Sequence, residues 1–306
     1  MQPQAAPGAI GAASGWRFAA ALPLLLWLGA CQREVASDAA PPTGGETPVA
    51  AVTGLTTHLR NGDLAAFARD AVPASLAGPL DQAWRDGRSR WPLTELPLSG
   101  QVPAALAALS APQAERSLLQ AFHRQFAGAD RELRSAAIAL GVFATQYLEH
   151  DGAFSAAERA HYTQLVAATS DWAAQAPLSD RDRARQLIAG LVAAARASGI
   201  DSDATLGRAG MTDGLAALSP LFTAVKGELA AYGLDLDLAF DSATVSLVEQ
   251  TGDRARVRLQ YTLAGRPVDA VLEVERLGGR WYVSDFLRHA RSAVAADTPA
   301  GAAVAH

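Results

Sequence analysis

Two periods divide the chain. From Val52 to Tyr232 apolar positions recur at spacings of three and four, the mark of helices buried along one side. Ser110, followed by Pro112 and Glu115, opens a set at Leu118, Leu119, Phe122 and Phe126 that closes at Gly128. Ser155 with Glu158 forms a capping box ahead of Tyr162, Leu165, Val166, Thr169 and Trp172. Ser179 with Asp182 repeats the device ahead of Leu187, Ile188, Leu191 and Val192, which end at Gly199. Ser219-Pro220 reads as the start of a helix that ends at Gly233. Between these, Arg131 to Glu149 places Leu133, Ala137, Leu140, Ala144, Tyr147 and Leu148 on a helical face. Short helices are expected around Leu55, Leu59, Leu64, Phe67 and Leu76, broken at Asn61-Gly62-Asp63 and at Pro73. Pro92 to Pro103 reads as a loop.

From Leu234 the period changes to two. Leu234, Leu236, Leu238 and Phe240 alternate with Asp235, Asp237, Ala239 and Asp241, and Ala255, Val257, Leu259, Tyr261 and Leu263 alternate with polar residues from Arg254 to Thr262. Such alternation predicts half-buried strands. Gly252-Asp253, Gly265-Arg266 and Gly278-Gly279 are turn signals. A two-residue turn at Gly265-Arg266 sets Arg258 opposite Glu273, Arg256 opposite Glu275 and Thr262 opposite Asp269, which favours an antiparallel pair. A last strand is expected from Trp281 to Phe286, with Arg288, His289 and Arg291 in a short terminal helix. The predicted fold class is α+β, a mainly helical region followed by a C-terminal antiparallel β-meander.

With the Ser219 helix before it, this C-terminal stretch resembles the curved sheet of cystatin-like and nuclear-transport-factor-like folds. The run from Gly278 to Asp285 is similar to their closing hairpin, and Arg60-Asn61-Gly62-Asp63-Leu64 to their first helix. The resemblance implies a cone-shaped pocket. It assigns no function, because such folds host many, and the roughly 150 helical residues in between depart from the family pattern.

The N-terminus is of another kind. An apolar run, Phe18 to Trp27, follows Arg17 and ends in Leu28-Gly29-Ala30-Cys31. Extended to Ala30 it would be about 20 Å long as a helix, short of the about 30 Å of a bilayer core, so it reads as a secretory signal. The tetrad resembles the lipobox of bacterial lipoproteins. That resemblance implies cleavage between Ala30 and Cys31, a diacylglyceryl thioether on the Cys31 sulfur and an acyl chain on its new amine. Several acyl chains anchor stably where one is marginal, so membrane lipid becomes a partner. Gln32 follows, where an aspartate would imply inner-membrane retention; the periplasmic face of the outer membrane is therefore expected. The expected organisation is a signal peptide over 1–30, a flexible tether over 31–50, a helical domain over 51–218, a helix with an antiparallel sheet over 219–292 and a disordered tail over 293–306. The Pro/Gly-rich tether would reach on the order of 25 Å.

Composition narrows the chemistry. The 306 residues are 50% hydrophobic, which supports a packed core. They carry 26 basic and 31 acidic side chains with no basic block, which argues against a nucleic-acid partner. Cys31 is the only cysteine, so no internal disulfide can form. There is no Gly-x-Ser-x-Gly elbow, Walker loop, His-Glu-x-x-His or Cys/His array. His150, Asp151, Glu158 and His161 are the best metal arrangement, but the motif occurs once where a carboxylate-bridged site needs two; no metal or cofactor is expected. Asp235 and Asp237 read as solvent-side strand residues, and Asp201 and Asp203 as helix caps. One segment concentrates hot-spot residue types: Trp84, Arg85, Arg88, Arg90 and Trp91 are candidate partner contacts. The expected function is a non-enzymatic, membrane-anchored lipoprotein that binds or scaffolds an envelope protein or polymer. One alternative is a small-ligand or lipid-binding module with a cavity lined by Tyr261, Leu263, Val274 or Trp281. The other is an envelope hydrolase, which requires buried acid–base groups converging in a cleft.

Overall fold

The computed structural model describes residues 42–95, 99–150, 152 and 154–295. Ala30 and Cys31, the signal run, Asp151 and most of the expected tether lie outside the described residues.

Capping chemistry starts the helices. Thr47 accepts from the Ala50 N–H and Pro48 occupies the first turn of α1 (Pro48–Asn61), which ends where Gly62 turns left-handed at φ 73°. Asp63 caps α2 (Leu64–Ala71), and α3 (Ala74–Arg85) follows Pro73. Beyond a 3-10 turn at Leu93–Glu95 come α4 (Val102–Ser110), α5 (Ala114–Gln125) and α6 (Asp130–His150). Next are α7 (Ala156–Ala173), α8 (Arg181–Ser198), α9 (Asp203–Ala209) and α10 (Met211–Ala231). The Ser155–Glu158 box forms reciprocally, with bonds of 3.1 and 2.7 Å. The second box does not: Asp180 caps α8, and the Ser179 hydroxyl bonds Asp130 instead.

Two expected boundaries are corrected. Ser219-Pro220 starts no helix; it lies inside the 21 residues of α10. Ser219 Oγ donates to the Leu215 carbonyl (3.0 Å) and accepts from the Leu64 N–H (3.1 Å), so it joins α10 to α2 rather than capping. The alternating run from Leu234 is likewise not a strand. Asp235 accepts from the Leu238 N–H (2.9 Å) and caps a short helix, α11 (Leu236–Asp241). Asp237, far from idling beside Asp235, takes the Lys226 ammonium at 2.6 Å and Arg60 at 3.4 Å. Lys226 is the only lysine in the chain and is buried. Its three donors reach Asp237 and the Leu59 and Arg60 carbonyls at the end of α1, where a cation complements the helix dipole.

The sheet runs β1 (Thr244–Thr251), β2 (Arg254–Leu263), β3 (Arg266–Leu277) and β4 (Arg280–Val283), paired antiparallel in that order. The fold is therefore α+β as expected, with α12 (Ser284–Ala295) closing it. Residues Ser284 to Phe286 belong to α12, not to a last strand. The β2–β3 turn is Ala264-Gly265, both at positive φ (49° and 78°), as a two-residue primed turn demands. Arg256 consequently faces Glu273, Arg254 faces Glu275 and Gln260 faces Asp269, two residues off the expected register. Because the side-chain period is two, that slip leaves every side chain on its expected face. Ala255, Val257, Leu259 and Leu263 are buried while the arginines between them are exposed.

A single apolar cluster joins Phe67, Trp84 and Leu215 to Val257, Val274, Trp281 and Leu287. The expected division between 51–218 and 219–292 is thus corrected: α10 crosses it, and helices and sheet share one core. The tether also ends earlier than expected. Gly45 forms a two-bond bridge with Trp281 (both 2.9 Å), and Arg280 donates to the Thr43 and Gly44 carbonyls. Gly44 sits at φ 72°, and a Cβ there would lie 2.5 Å from the Tyr282 ring. At the other end α12 runs to Ala295, into the expected tail.

Candidate functional site

The Trp84–Trp91 segment does not present its tryptophans to a partner. Both are 1% exposed and belong to the core, and the Trp84 indole N–H donates to the Leu206 carbonyl at 2.9 Å. This corrects the expected contact role of Trp84 and Trp91: a large apolar ring is worth more inside than in solvent. The arginines around them serve the same junction. Arg90 forms a fork with Asp203 (both 2.7 Å) and donates to the Trp84 carbonyl. Arg85 pairs with Asp81 (2.8 Å) and reaches the Arg208 carbonyl, and Arg88 pairs with Asp86 (3.0 Å). The segment locks α3 to α9.

The acid–base groups that do converge were not singled out together in the sequence, because they come from three distant segments. Glu158, 5% exposed, accepts from the Ser155 N–H and from Arg288. His289 stands between two carboxylates, with Nδ1 at 2.8 Å from Glu95 and Nε2 at 3.3 Å from Glu158. The bond to Glu95 raises the imidazole pKa above its ordinary value, against the opposing effect of burial. Asp285 takes Arg288 and the Ser155 hydroxyl, both at 3.1 Å. Burial, and then the charges of Glu158, Glu95 and Asp285, push the Tyr162 hydroxyl upward. Arg288 and His289 thus face three carboxylates, Glu95, Glu158 and Asp285. The cluster clamps α12 to α7 and to the Leu93–Glu95 turn.

Among the described residues, His150, Glu158 and His161, the best metal arrangement in the sequence, take separate partners. His161 Nε2 bonds the Tyr261 hydroxyl at 2.8 Å, and burial lowers the histidine while raising the tyrosine, so a neutral pair is favoured. His150 Nδ1 turns back to the Gln146 carbonyl, and Asp151 lies outside the described residues. Among the described residues, no three His, Asp or Glu side chains gather as metal ligands. Asp203 lies in the first turn of α9 and takes Arg90, while Ser202 is the cap; Asp201 bonds the Ser202 and Thr205 hydroxyls.

The residues expected around a cavity are packed. Leu263 clusters with Ala168, Leu234 and Val268, and Val274 and Trp281 sit in the main core. Two open hollows among the described residues, about 410 Å³ each, lie elsewhere. One lies beside Glu115, Arg116 and Arg196, and the other beside Asp182, Arg183 and Tyr232.

Among the described residues, one helix carries a row of exposed apolar side chains. Ala137, Gly141, Ala144 and Leu148 lie on the less exposed face of α6, whose principal neighbour is α7, and a Cβ on Gly141 would lie 2.4 Å from Ser170 Oγ. No charged residue occurs from Ser135 to Leu148. Leu140 is 65% exposed, Phe143 66% and Tyr147 54%, and Ile138 and Val142 are exposed on the other flank. Leu140 and Tyr147 were expected on the buried face. The available signal was the uncharged run itself: it is apolar around more of the helix than one neighbour can cover. Exposed apolar surface of this kind is a candidate for interaction.

Neither a protein family, nor a curated protein, nor a solved structure matches the chain.

Proposed function

We propose that this protein is a lipoprotein of the bacterial cell envelope, anchored through acylated Cys31 at the periplasmic face of the outer membrane, where it binds or scaffolds a protein partner without catalysing a reaction. The docking face is α6. The observation that carries this reading is the solvent-facing stripe of Leu140, Phe143 and Tyr147 on a helix whose middle has no charge. Apolar surface left in water forgoes about 25 cal/mol per Å² that covering it would return. The Leu28-Gly29-Ala30-Cys31 tetrad and the polar segment after it support the anchor. The Trp84–Trp91 segment leaves the proposal, because its rings are inside.

The test has two arms. Mass analysis of the native protein is expected to find a mature chain that begins at a multiply acylated Cys31, and the chain from Gln32 onward, secreted behind a cleavable signal that leaves no lipidated cysteine, is expected to be released into the soluble periplasm. A photo-crosslinking residue at Phe143 is expected to capture protein in intact cells, and the same residue at Arg85 is not. A bare thiol overturns the anchor. Capture at neither position overturns the docking face.

A further inference from the structure

We infer that the partner covering α6 is a second copy of this chain, docked antiparallel about a two-fold axis. The inference rests on reading α6 as a docking face and says what occupies it. Ala136, Leu140, Phe143 and Tyr147 are spaced four, three and four apart, and all four are exposed. That is the seam spacing by which two helices interlock knobs into holes. At 100° per residue the seam lies about a third of a turn from the Gly141 face that meets α7, so a second helix can approach without displacing α7.

The seam is complementary to itself. An isologous interface must match each position to its own reverse. An axis between Gly141 and Val142 sets Leu140 opposite Phe143 of the second copy and Ala136 opposite Tyr147 of the second copy, so each large ring meets a smaller side chain. The same axis brings exposed Glu132 to within one residue, about 1.5 Å along the helix, of the level of exposed His150 of the second copy on one flank, twice over by symmetry. His150 Nδ1 is turned to the Gln146 carbonyl, so Nε2 is the atom that would meet the carboxylate. The other flank, with Ile138 and Val142, carries Arg131 and Glu149 at its ends and offers only two large apolar residues. The seam offers on the order of 500 Å² per copy, about 1,000 Å² in all, at the lower edge of specific interfaces. Such a contact is weak in dilute solution. Confinement of anchored copies to one membrane surface raises their effective concentration and makes it effective.

The test uses the full acylated chain in lipid nanodiscs, as a mixture of isotope-labelled and unlabelled copies. With a photo-crosslinking residue at Phe143, the adduct is expected to join a labelled to an unlabelled chain within residues 136–143, and the same residue at Ile138 is expected to give none. Leu140→Glu is expected to weaken self-association on the order of 100-fold while the helical circular dichroism stays unchanged, because it buries a charge at the seam. Monomers at all concentrations, an adduct to lipid, or an adduct to a different protein in cells each overturn the second copy as occupant; the last leaves the docking face standing. The anchor is judged separately, by the mass of the native mature chain: a bare Cys31 thiol overturns it, whereas the adduct between two copies of the acylated chain judges the second copy.

Discussion

At the scale of single residues, burial decides what a side chain is for. Trp84 and Trp91 have the composition of a binding hot spot, yet both fill the core, and Arg90 is held by Asp203 rather than offered to a partner. His289 shows the converse, a residue with no motif around it that ties three segments together. Its folded-state pKa lies above the ordinary 6.5. The clamp therefore contributes fully below about pH 6.5 and is lost as pH rises through the raised value. The groups around it are Glu95, Glu158, Tyr162, Asp285 and Arg288, so loss of the imidazolium charge leaves Arg288 as the cation paired with Glu158, which keeps its bond from the Ser155 N–H. Denaturant midpoints measured between about pH 6 and about pH 9 are expected to fall more steeply for the native chain than for His289→Gln. Parallel curves would contradict the clamp.

At the scale of elements, small contacts settle what periodicity leaves open. The α6–α7 approach depends on a glycine: an added Cβ at position 141 would lie 2.8 Å from Ser170 Cβ. Gly141→Ala is expected to destabilise the fold by about 1–3 kcal/mol in chemical denaturation despite its better helix propensity. Ser170→Gly in the same chain is expected to restore part of that loss; failure to do so would place the strain elsewhere. On its other side α7 guards the sheet. Gln164 exchanges two 2.8 Å bonds with the Asp269 backbone, along the part of β3 that β4 does not reach. A glutamine amide thereby takes the place of a neighbouring strand at an edge that would otherwise invite pairing.

At the scale of the molecule, helices and sheet share one core that α10 crosses without a break. One cooperative unfolding transition is expected, with coincident fluorescence and far-ultraviolet dichroism curves, because Trp84 and Trp91 report on the helical side and Trp281 on the sheet. Two separated transitions would restore a two-domain reading. The sequence by itself determined the fold class, the Ser155–Glu158 cap, the left-handed end at Gly199 and the buried face of β2, because these rest on local periods and local hydrogen bonds. It also carries the Cys31 tetrad, which lies outside the described residues. Only the tertiary structure decided that Ser219 joins two helices, that Leu234–Phe240 turns helical, that the hairpin register shifts by two, and that Leu140 faces water. The register and the helical turn rest on backbone conformation at Ala264-Gly265 and on the Asp235 cap, while the roles of Ser219 and Leu140 depend on which surfaces meet across long stretches of chain; a one-dimensional pattern says which residues are apolar but neither which turn is taken nor which neighbour covers them.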